Sequence, residues 1–413
     1  MEGSKIGEIR GIAEHQNMES EMEGILNNKL EEFHDKEEYM KKVHDMEMLT
    51  KIYKEYKDRE LTKEEIRFLY EIDDNILGFG YGKDPRIKEI LNGRNFKQDL
   101  AFVFDCTEDE ISNNRDDILN VKKIVCYYGD LFLFGLTSAE GLILPQSVTG
   151  NLDLSDLKNA EGLTLPQSIG GGLDLSSLIN AKVLTLPKSI GGYLDLCRLK
   201  NAEVLTLPQS VGGDLYLSRL KSAKVLTLPQ SIGGGLDLSS ITSTEGLTLP
   251  QSIGGGLDLS SIASAEGLVL PQNVEGSLFL SKLTSAEGLV LPQNVGGSLD
   301  LSSLTSVEGL VLPQIVEGSL YLSKLTSSEG LILPQSVGRD LNLRSLTSAE
   351  GLIVPKGFTC RKIYSDYISM EDLINKSLEE TQVEENHRQM GFSNIYILAL
   401  FTYVSSLILT LIG

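Results

Sequence analysis

The stretch Glu161-Gly-Leu-Thr-Leu-Pro-Gln-Ser-Ile-Gly-Gly-Gly-Leu-Asp-Leu-Ser-Ser-Leu178 decides the fold, because the chain repeats it at a fixed spacing. Pro145, Pro166, Pro187, Pro208 and their successors to Pro355 stand 21 residues apart without a slip. Such a period marks one supersecondary unit stacked on copies of itself, a solenoid whose units bury their apolar faces only against each other. Each unit holds two Leu-x-Leu cores, Leu163/Leu165 and Leu173/Leu175, and this alternation makes a strand with one buried face. The columns Val148/Ile169/Ile190/Val211 and Leu157/Leu178/Leu199/Leu220 are also apolar, and Ala139, Ala160, Ala181, Ala202 and Ala223 mark a tight inward corner. In this reading the proline, which cannot donate to a ladder, closes the first strand. The Gly170-Gly171 and Gly191-Gly192 pairs supply a φ > 0 corner before the second. Neither half is long enough for a helix, so the sequence predicts a mainly β fold, a parallel β-solenoid with two short strands per coil.

The Leu-Pro-Gln-Ser-Val and Leu-Thr-Ser-Ala-Glu-Gly-Leu segments resemble bacterial leucine-rich repeats, especially the surface-antigen type with Leu-Pro-x-Ser-Val in each unit. The resemblance covers about 129–355. This chain lacks the aromatic-Cys helix segment of that type and the asparagine of typical leucine-rich repeats, and has a second Leu-x-Leu strand instead. The resemblance implies a leucine-rich-repeat-like solenoid that serves as a protein-binding scaffold.

Around the repeat the sequence divides into a polar, disordered start (1–20), an α-helical N-terminal module and cap (21–128), the solenoid (129–355), a C-terminal cap (356–375), a polar linker (376–391) and an apolar tail (392–413). In the module, Asp35 is placed to cap a helix carrying Met40, Val43, Met46, Leu49, Ile52, Tyr53 and Tyr56 on one side. Thr62 with Glu65 forms a capping box, and Asp84-Pro85 is an N-cap followed by proline, with Gly93 ending that helix. The module is expected to cover the apolar end of the first coil, as a soluble solenoid requires. Its Leu-Thr-Lys-Glu-Glu-Ile-Arg-Phe-Leu-Tyr-Glu-Ile-Asp and Gly-Phe-Gly-Tyr-Gly-Lys-Asp-Pro-Arg-Ile runs resemble a module of uncharacterised proteins from bacterial candidate phyla. That resemblance implies a bacterial origin and no activity.

The formal charge is −21. It is spread as −10 over 1–128, −9 over 129–355 and −2 over the rest, so no segment has the basic surplus that nucleic acid demands. Cys106, Cys126, Cys197 and Cys360 are dispersed and fit free thiols in a reducing compartment. The start has neither a basic n-region nor an apolar h-region of a cleaved signal. The uncharged run 394–413 would span roughly 30 Å as a helix, one hydrocarbon core. It reads as a single-pass transmembrane tail anchor, with the soluble part cytoplasmic and Arg388 on the inner side. The competing reading is an apolar helix packed on protein.

Catalytic chemistry has little to stand on. His15, His34, His44 and His387 all lie outside the repeat, without metal-type spacing. Gly78-Phe-Gly-Tyr-Gly-Lys83 lacks the spacing and preceding strand of a P-loop, and reads as an exposed turn. The Gly-Gly-Gly-Leu-Asp-Leu runs supply one aspartate per coil, too few for a calcium β-roll, although stacked carboxylates could hold divalent cations weakly. The sequence thus offers no catalytic, cofactor-binding or metal-binding residue, and points away from an enzyme.

The outward columns are the candidate site. The middle residue of the second Leu-x-Leu runs Phe132, Asp153, Asp174, Asp195, Tyr216, Asp237, Asp258, Phe279, Asp300, Tyr321, Asn342. After Tyr216, Phe279 and Tyr321 a basic residue follows three positions on, at Arg219, Lys282 and Lys324. Aspartates could simply keep an exposed strand soluble, with the substitutions diluting repulsion. Alternatively the column is an acidic-aromatic face that anchors a protein partner. The middle residue of the first Leu-x-Leu is Thr164, Thr185, Thr206, Thr227 and Thr248, then Val269, Val290, Val311, Ile332 and Ile353. The β-branched shape suits strand packing, but the second half is an exposed apolar stripe of the kind that marks contact surfaces. The corner column alternates in sign through Glu161, Lys182, Glu203, Lys224 and Glu245, then places Glu266, Glu287, Glu308, Glu329 and Glu350 in succession. The sequence predicts a tail-anchored scaffold for protein–protein interaction; the alternative is a passive spacer or assembly module.

Overall fold

The computed structural model describes residues 36–79, 83–181, 184–202, 205–224 and 226–375. The start expected to be disordered, the helix cap expected at Asp35, the linker and the apolar tail lie outside the described residues, as do Gly80–Gly82, Lys182 and Glu203. Two compact units divide the chain, one running to Ile262 and including Gly267–Phe279, the other comprising Ala263–Glu266 and the chain from Leu280.

The first unit opens with helices α1 (Lys36–Glu55), α2 (Lys63–Leu69), α3 (Pro85–Leu91), α4 (Phe96–Phe104) and α5 (Arg115–Leu119). Their ends follow the local signals. Thr62 Oγ1 accepts from the Glu65 N–H at 3.2 Å, while the Glu65 carboxylate accepts from the Thr62 N–H at 3.0 Å. Asp84 caps α3 with Pro85 at its first position, and Gly93 follows with φ +88°. On α1, Leu49 and Ile52 are fully buried with Leu69, Ile72 and Leu100, but Met40 is exposed, so the buried stripe starts later than the sequence pattern implies. A buried network ties α4 to the core: Arg94 pairs with Asp99 at 2.6 Å and the Tyr70 hydroxyl donates to Asp99 at 3.0 Å.

Two parallel ladders follow, in the predicted 21-residue register except at the first rung, where Ile111 meets Cys126, and the last, where Asp340 meets Lys362. In the first unit one ladder runs from Ile111–Ser112 through Cys126–Tyr127 and Ser147–Val148 to Asn273–Val274. The other runs from Leu131–Phe132 through Leu152–Asp153 to Leu278–Phe279. In the second unit they comprise Asn294–Val295, Ile315–Val316 and Ser336–Val337, and Leu299–Asp300, Leu320–Tyr321, Asp340–Asn342 and Lys362–Tyr364. The fold is a parallel β-solenoid of 21-residue coils with two short strands per coil and an N-terminal helical region.

The first strand is not where the Leu-x-Leu pattern puts it. In the coil quoted above it is Ser168–Ile169, after Pro166, whereas Leu163–Leu165 is not a strand. A proline in every coil would leave each rung without a donor. The ladder therefore forms beyond it, where Gln167 donates to Gln146 O at 2.8 Å and Gly170 to Val148 O at 2.9 Å. The leading leucines still pack inward: Leu163 is buried, its N–H closing a turn onto Ala160 O at 3.0 Å.

The glycine roles change as well. Positive φ belongs to the Glu-Gly corner, as at Gly162 (+79°) and Gly246 (+73°), and not to the Gly-Gly pair. The pair answers a close approach between coils instead: a Cβ on Gly255 would lie 2.5 Å from Gly235 N and 2.7 Å from Gly234 C. Inside, Leu173, Leu175 and Leu178 are wholly buried, and the alanine column fills the narrow corner. In the second unit Ser328 takes that column's place, its hydroxyl donating to Ser348 O and Glu350 O, each at 2.9 Å.

The helical module both extends and flanks the coils. Ile111–Ser112 adds a rung to Cys126–Tyr127. The segment after α2 lies against the side of the coils, where Asn75 Nδ2 donates to Gly191 O at 2.5 Å and the Ser168 hydroxyl to Ile72 O. At the other end Phe358, Ile368 and Leu373 are buried. Among the described residues no helix is long and apolar enough to cross a membrane; residues 394–413, on which the predicted span falls, are not among them.

Candidate functional site

The second ladder stacks the acidic-aromatic column as the sequence arranges it. Asp153 pairs with Asp174, Asp174 with Asp195, Asp195 with Tyr216, Tyr216 with Asp237, Asp237 with Asp258 and Asp258 with Phe279 in the first unit. Asp300 pairs with Tyr321 and Tyr321 with Asn342 in the second. The aspartates have a local task that the sequence reading missed. Each Oδ1 accepts the N–H two residues on, at 2.9 Å for Asp153, Asp174, Asp237, Asp258 and Asp300 and 2.8 Å for Asp195. These are Asx turns that hold the corner after the strand, signalled by the Asp-Leu-Ser spelling. Asn342 makes the same turn, accepting from Arg344 N–H at 3.3 Å.

That turn brings electrostatic strain where carboxylates stack. Asp195 is half-buried, and desolvation raises its pKa, with the neighbouring Asp174 and Asp237 charges adding to the rise. A carboxyl whose folded pKa exceeds its unfolded value loses stability as pH rises above about 4 through the folded pKa. Asp195→Asn keeps the acceptor and removes the charge. It should raise the melting temperature at pH 7 slightly and flatten the pH dependence. Asp195→Ala should lower the melting temperature, because the Cys197 N–H loses its partner at a cost of about 1 kcal/mol. A loss of equal size in both variants, measured by thermal melting, would show that charge stacking is immaterial there.

The aromatic members are less available than an anchor needs. Tyr216, Phe279 and Tyr321 are half-buried. The Tyr216 hydroxyl donates to Asp214 Oδ2 at 2.8 Å, and that bond leads the causes raising its pKa to about 12. Arg219, Lys282 and Lys324 are exposed. The open aromatic pair is elsewhere: Phe132 and Phe134 stack with centroids 5.5 Å apart at the start of this ladder. Phe132 stood in the column as read, but its partner Phe134 did not.

The first Leu-x-Leu column is far more exposed. Val269 in the first unit is 78 % exposed, and in the second Val290 is 76 %, Val311 77 % and Ile332 56 %. Thr164, Thr206, Thr227 and Thr248 occupy the same coil position and are exposed too. Within the second unit Ile332 and Ile353 are bridged in parallel, so these two residues stack.

In the corner column Lys224 Nζ pairs with Glu245 Oε1 of the next coil at 2.5 Å, with both side chains mostly exposed. Among the described residues no three His, Cys, Asp or Glu side chains stand together as a cation site. Desolvation raises the pKa of all four thiols, Cys126 to about 12 and Cys197 to about 11, which disfavours the thiolate. A groove of about 940 Å³ follows the Leu228-Pro229-Gln230 and Leu249-Pro250-Gln251 segments beside Lys36, and its walls carry no carboxylate, imidazole or thiol. The remaining feature outside the sequence reading is Tyr364, with Lys362 Nζ 4.2 Å and Arg344 Cζ 5.4 Å from its ring centroid. No family model, curated protein or solved structure matches the chain.

Proposed function

We propose that this chain is a membrane-tethered repeat scaffold that presents its coils to a protein partner, and that it binds rather than catalyses. The observation that supports the reading is the change from threonine to valine and isoleucine in one exposed column. Threonine and valine share a shape and differ by a hydroxyl, so either satisfies the β-branched preference of extended backbone. The coils with Thr164, Thr206, Thr227 and Thr248 show that the position accepts a polar residue. Apolar side chains more than three-quarters exposed at Val290 and Val311 therefore serve something other than the coil. The likeness to bacterial leucine-rich repeats, and the module's likeness to proteins of candidate phyla, agree with a bacterial binding scaffold. In this reading residues 394–413 cross the bilayer as a tail anchor and the coils face the cytoplasm.

The acidic-aromatic column takes the secondary role. Its aspartates are accounted for by Asx turns, which favours the passive-spacer reading for that face, although Tyr216, Phe279 and Tyr321 remain candidate contacts. Replacing Val290, Val311 and Ile332 by threonine in the full chain should abolish capture of a specific protein from native membranes. Replacing Tyr216, Phe279 and Tyr321 by aspartate should weaken it less. Capture unchanged by the threonine variant, with loss in the aspartate variant, would move the site to the second ladder. Capture of no specific partner by the native chain would favour the spacer.

A further inference from the structure

The last rung of the second unit breaks the charge pattern of the chain. Residues 339–362 carry five cations (Arg339, Arg344, Lys356, Arg361 and Lys362) against Asp340 and Glu350, in a protein of net charge −21. The ladder gathers four of them. Asp340 pairs with Lys362, Leu341 with Ile363 and Asn342 with Tyr364, so Lys362 and Tyr364 point outward together while Leu341 is buried between coils. Lys362 and Arg344 flank the Tyr364 ring at 4.2 and 5.4 Å. Arg361 stacks on Arg339 through its N–H to Arg339 O at 2.8 Å, and its guanidinium pairs with Asp340 at 3.0 Å. The cap that follows exposes Tyr367 (62 %) and Ile374 (50 %).

We infer that this end of the second unit is a contact surface for anionic lipid headgroups. Cations around a tyrosine, with a second tyrosine and an isoleucine exposed beside them, form the side-chain set that rests at a membrane–water interface. Over 339–375 the acids Asp340, Glu350, Asp366, Glu371 and Asp372 match the five cations in number, but Asp340 is occupied by Arg361 and Asp372 accepts from the Ser369 N–H and hydroxyl, while Asp366 and Glu371 are exposed in the cap. The inference rests on the membrane-tether reading, because the apolar run 394–413 begins shortly beyond the cap and would bring this end, before any other, to the bilayer. Each cation near an anionic surface strengthens binding by a factor of about five. Arg361 is partly neutralised by its partner, which leaves Arg339, Arg344 and Lys362 to contribute most.

Flotation of the full chain with phosphatidylcholine vesicles, with and without phosphatidylserine, tests this in five forms. They are the native chain, a tail variant (Leu400→Asp/Leu407→Asp), a rung variant (Arg339→Gln/Arg344→Gln/Lys362→Gln), the two combined, and the tail variant with Arg339→Lys/Arg344→Lys. The tail variant should bind phosphatidylserine vesicles at low salt and leave them at high salt, while ignoring neutral ones. Adding the rung substitutions should weaken that binding about a hundredfold, whereas Arg339→Lys/Arg344→Lys in the tail variant should preserve it. A tail variant that binds both vesicle types equally, or a combined variant that binds as the tail variant does, overturns the inference. The tether reading has its own readout: it fails if the native chain and the tail variant behave alike on neutral vesicles.

Discussion

Leu236→Asp should abolish cooperative melting of the native coils. Leu236 is 1 % exposed and sits in register between Leu215 and Leu257, in an interior lined by leucine from both halves of each coil. A carboxylate placed there has no donor to satisfy it, and its burial costs several kcal/mol whether it stays charged or takes up a proton. In a repeat protein the loss falls on one coil and its two interfaces, so the coils on either side lose their coupling. Two separate transitions, or none, are expected in a thermal melt where Leu236→Met gives one close to native. A melt unchanged by the aspartate would mean that Leu236 does not point inward.

Gly255→Ala carries the next largest effect. The added methyl would meet the backbone of the preceding coil at 2.5–2.7 Å, where the Gly255 N–H bonds to Gly234 O at 2.9 Å. Backbone cannot rotate aside as a flexible side chain can, so the coils must separate locally, at a cost of about 2–3 kcal/mol. The same column holds glycine from Gly150 to Gly318 and only becomes Arg339 in the last full coil. The next column is more permissive, with Tyr193, Asp214 and Ser277 in it and a Cβ on Gly256 meeting nothing closer than Ser277 O at 3.0 Å, so Gly256→Ala should cost less than Gly255→Ala in chemical denaturation. Equal effects at the two positions would remove the stacking explanation.

Much of this fold was legible because period and chemistry coincide. Leu173, Leu175 and Leu178 could be assigned inward from spacing alone, and the register of 21 made every column a stack. The place of the first strand was not legible, because Leu-Thr-Leu alternates as a strand does while the proline directly after it decides where donors are available. The Asp-Leu-Ser turn was written in the sequence but is absent from both readings of that column, the solubility device and the partner face, since its hydrogen bond runs within the coil and leaves no trace in the spacing. Half-burial of Tyr216 depends on Asp214 and the adjoining rungs, a matter of three-dimensional crowding. Tyr364 escaped for a simpler reason: its partner is Asn342, a step of 22 residues, so the last rung falls out of frame.

On the proposed function the apolar column is surplus to the coil. Its most direct test is the thermal stability of the chain with Val290, Val311, Ile332 and Ile353 all replaced by threonine. Exposed substitutions that leave backbone preference intact change stability by no more than about 0.5 kcal/mol each. A melting temperature within a few degrees of native, with the stripe erased, is the predicted result. A loss as deep as that of Gly255→Ala would show that these side chains hold the solenoid together, and would contradict their assignment to a partner.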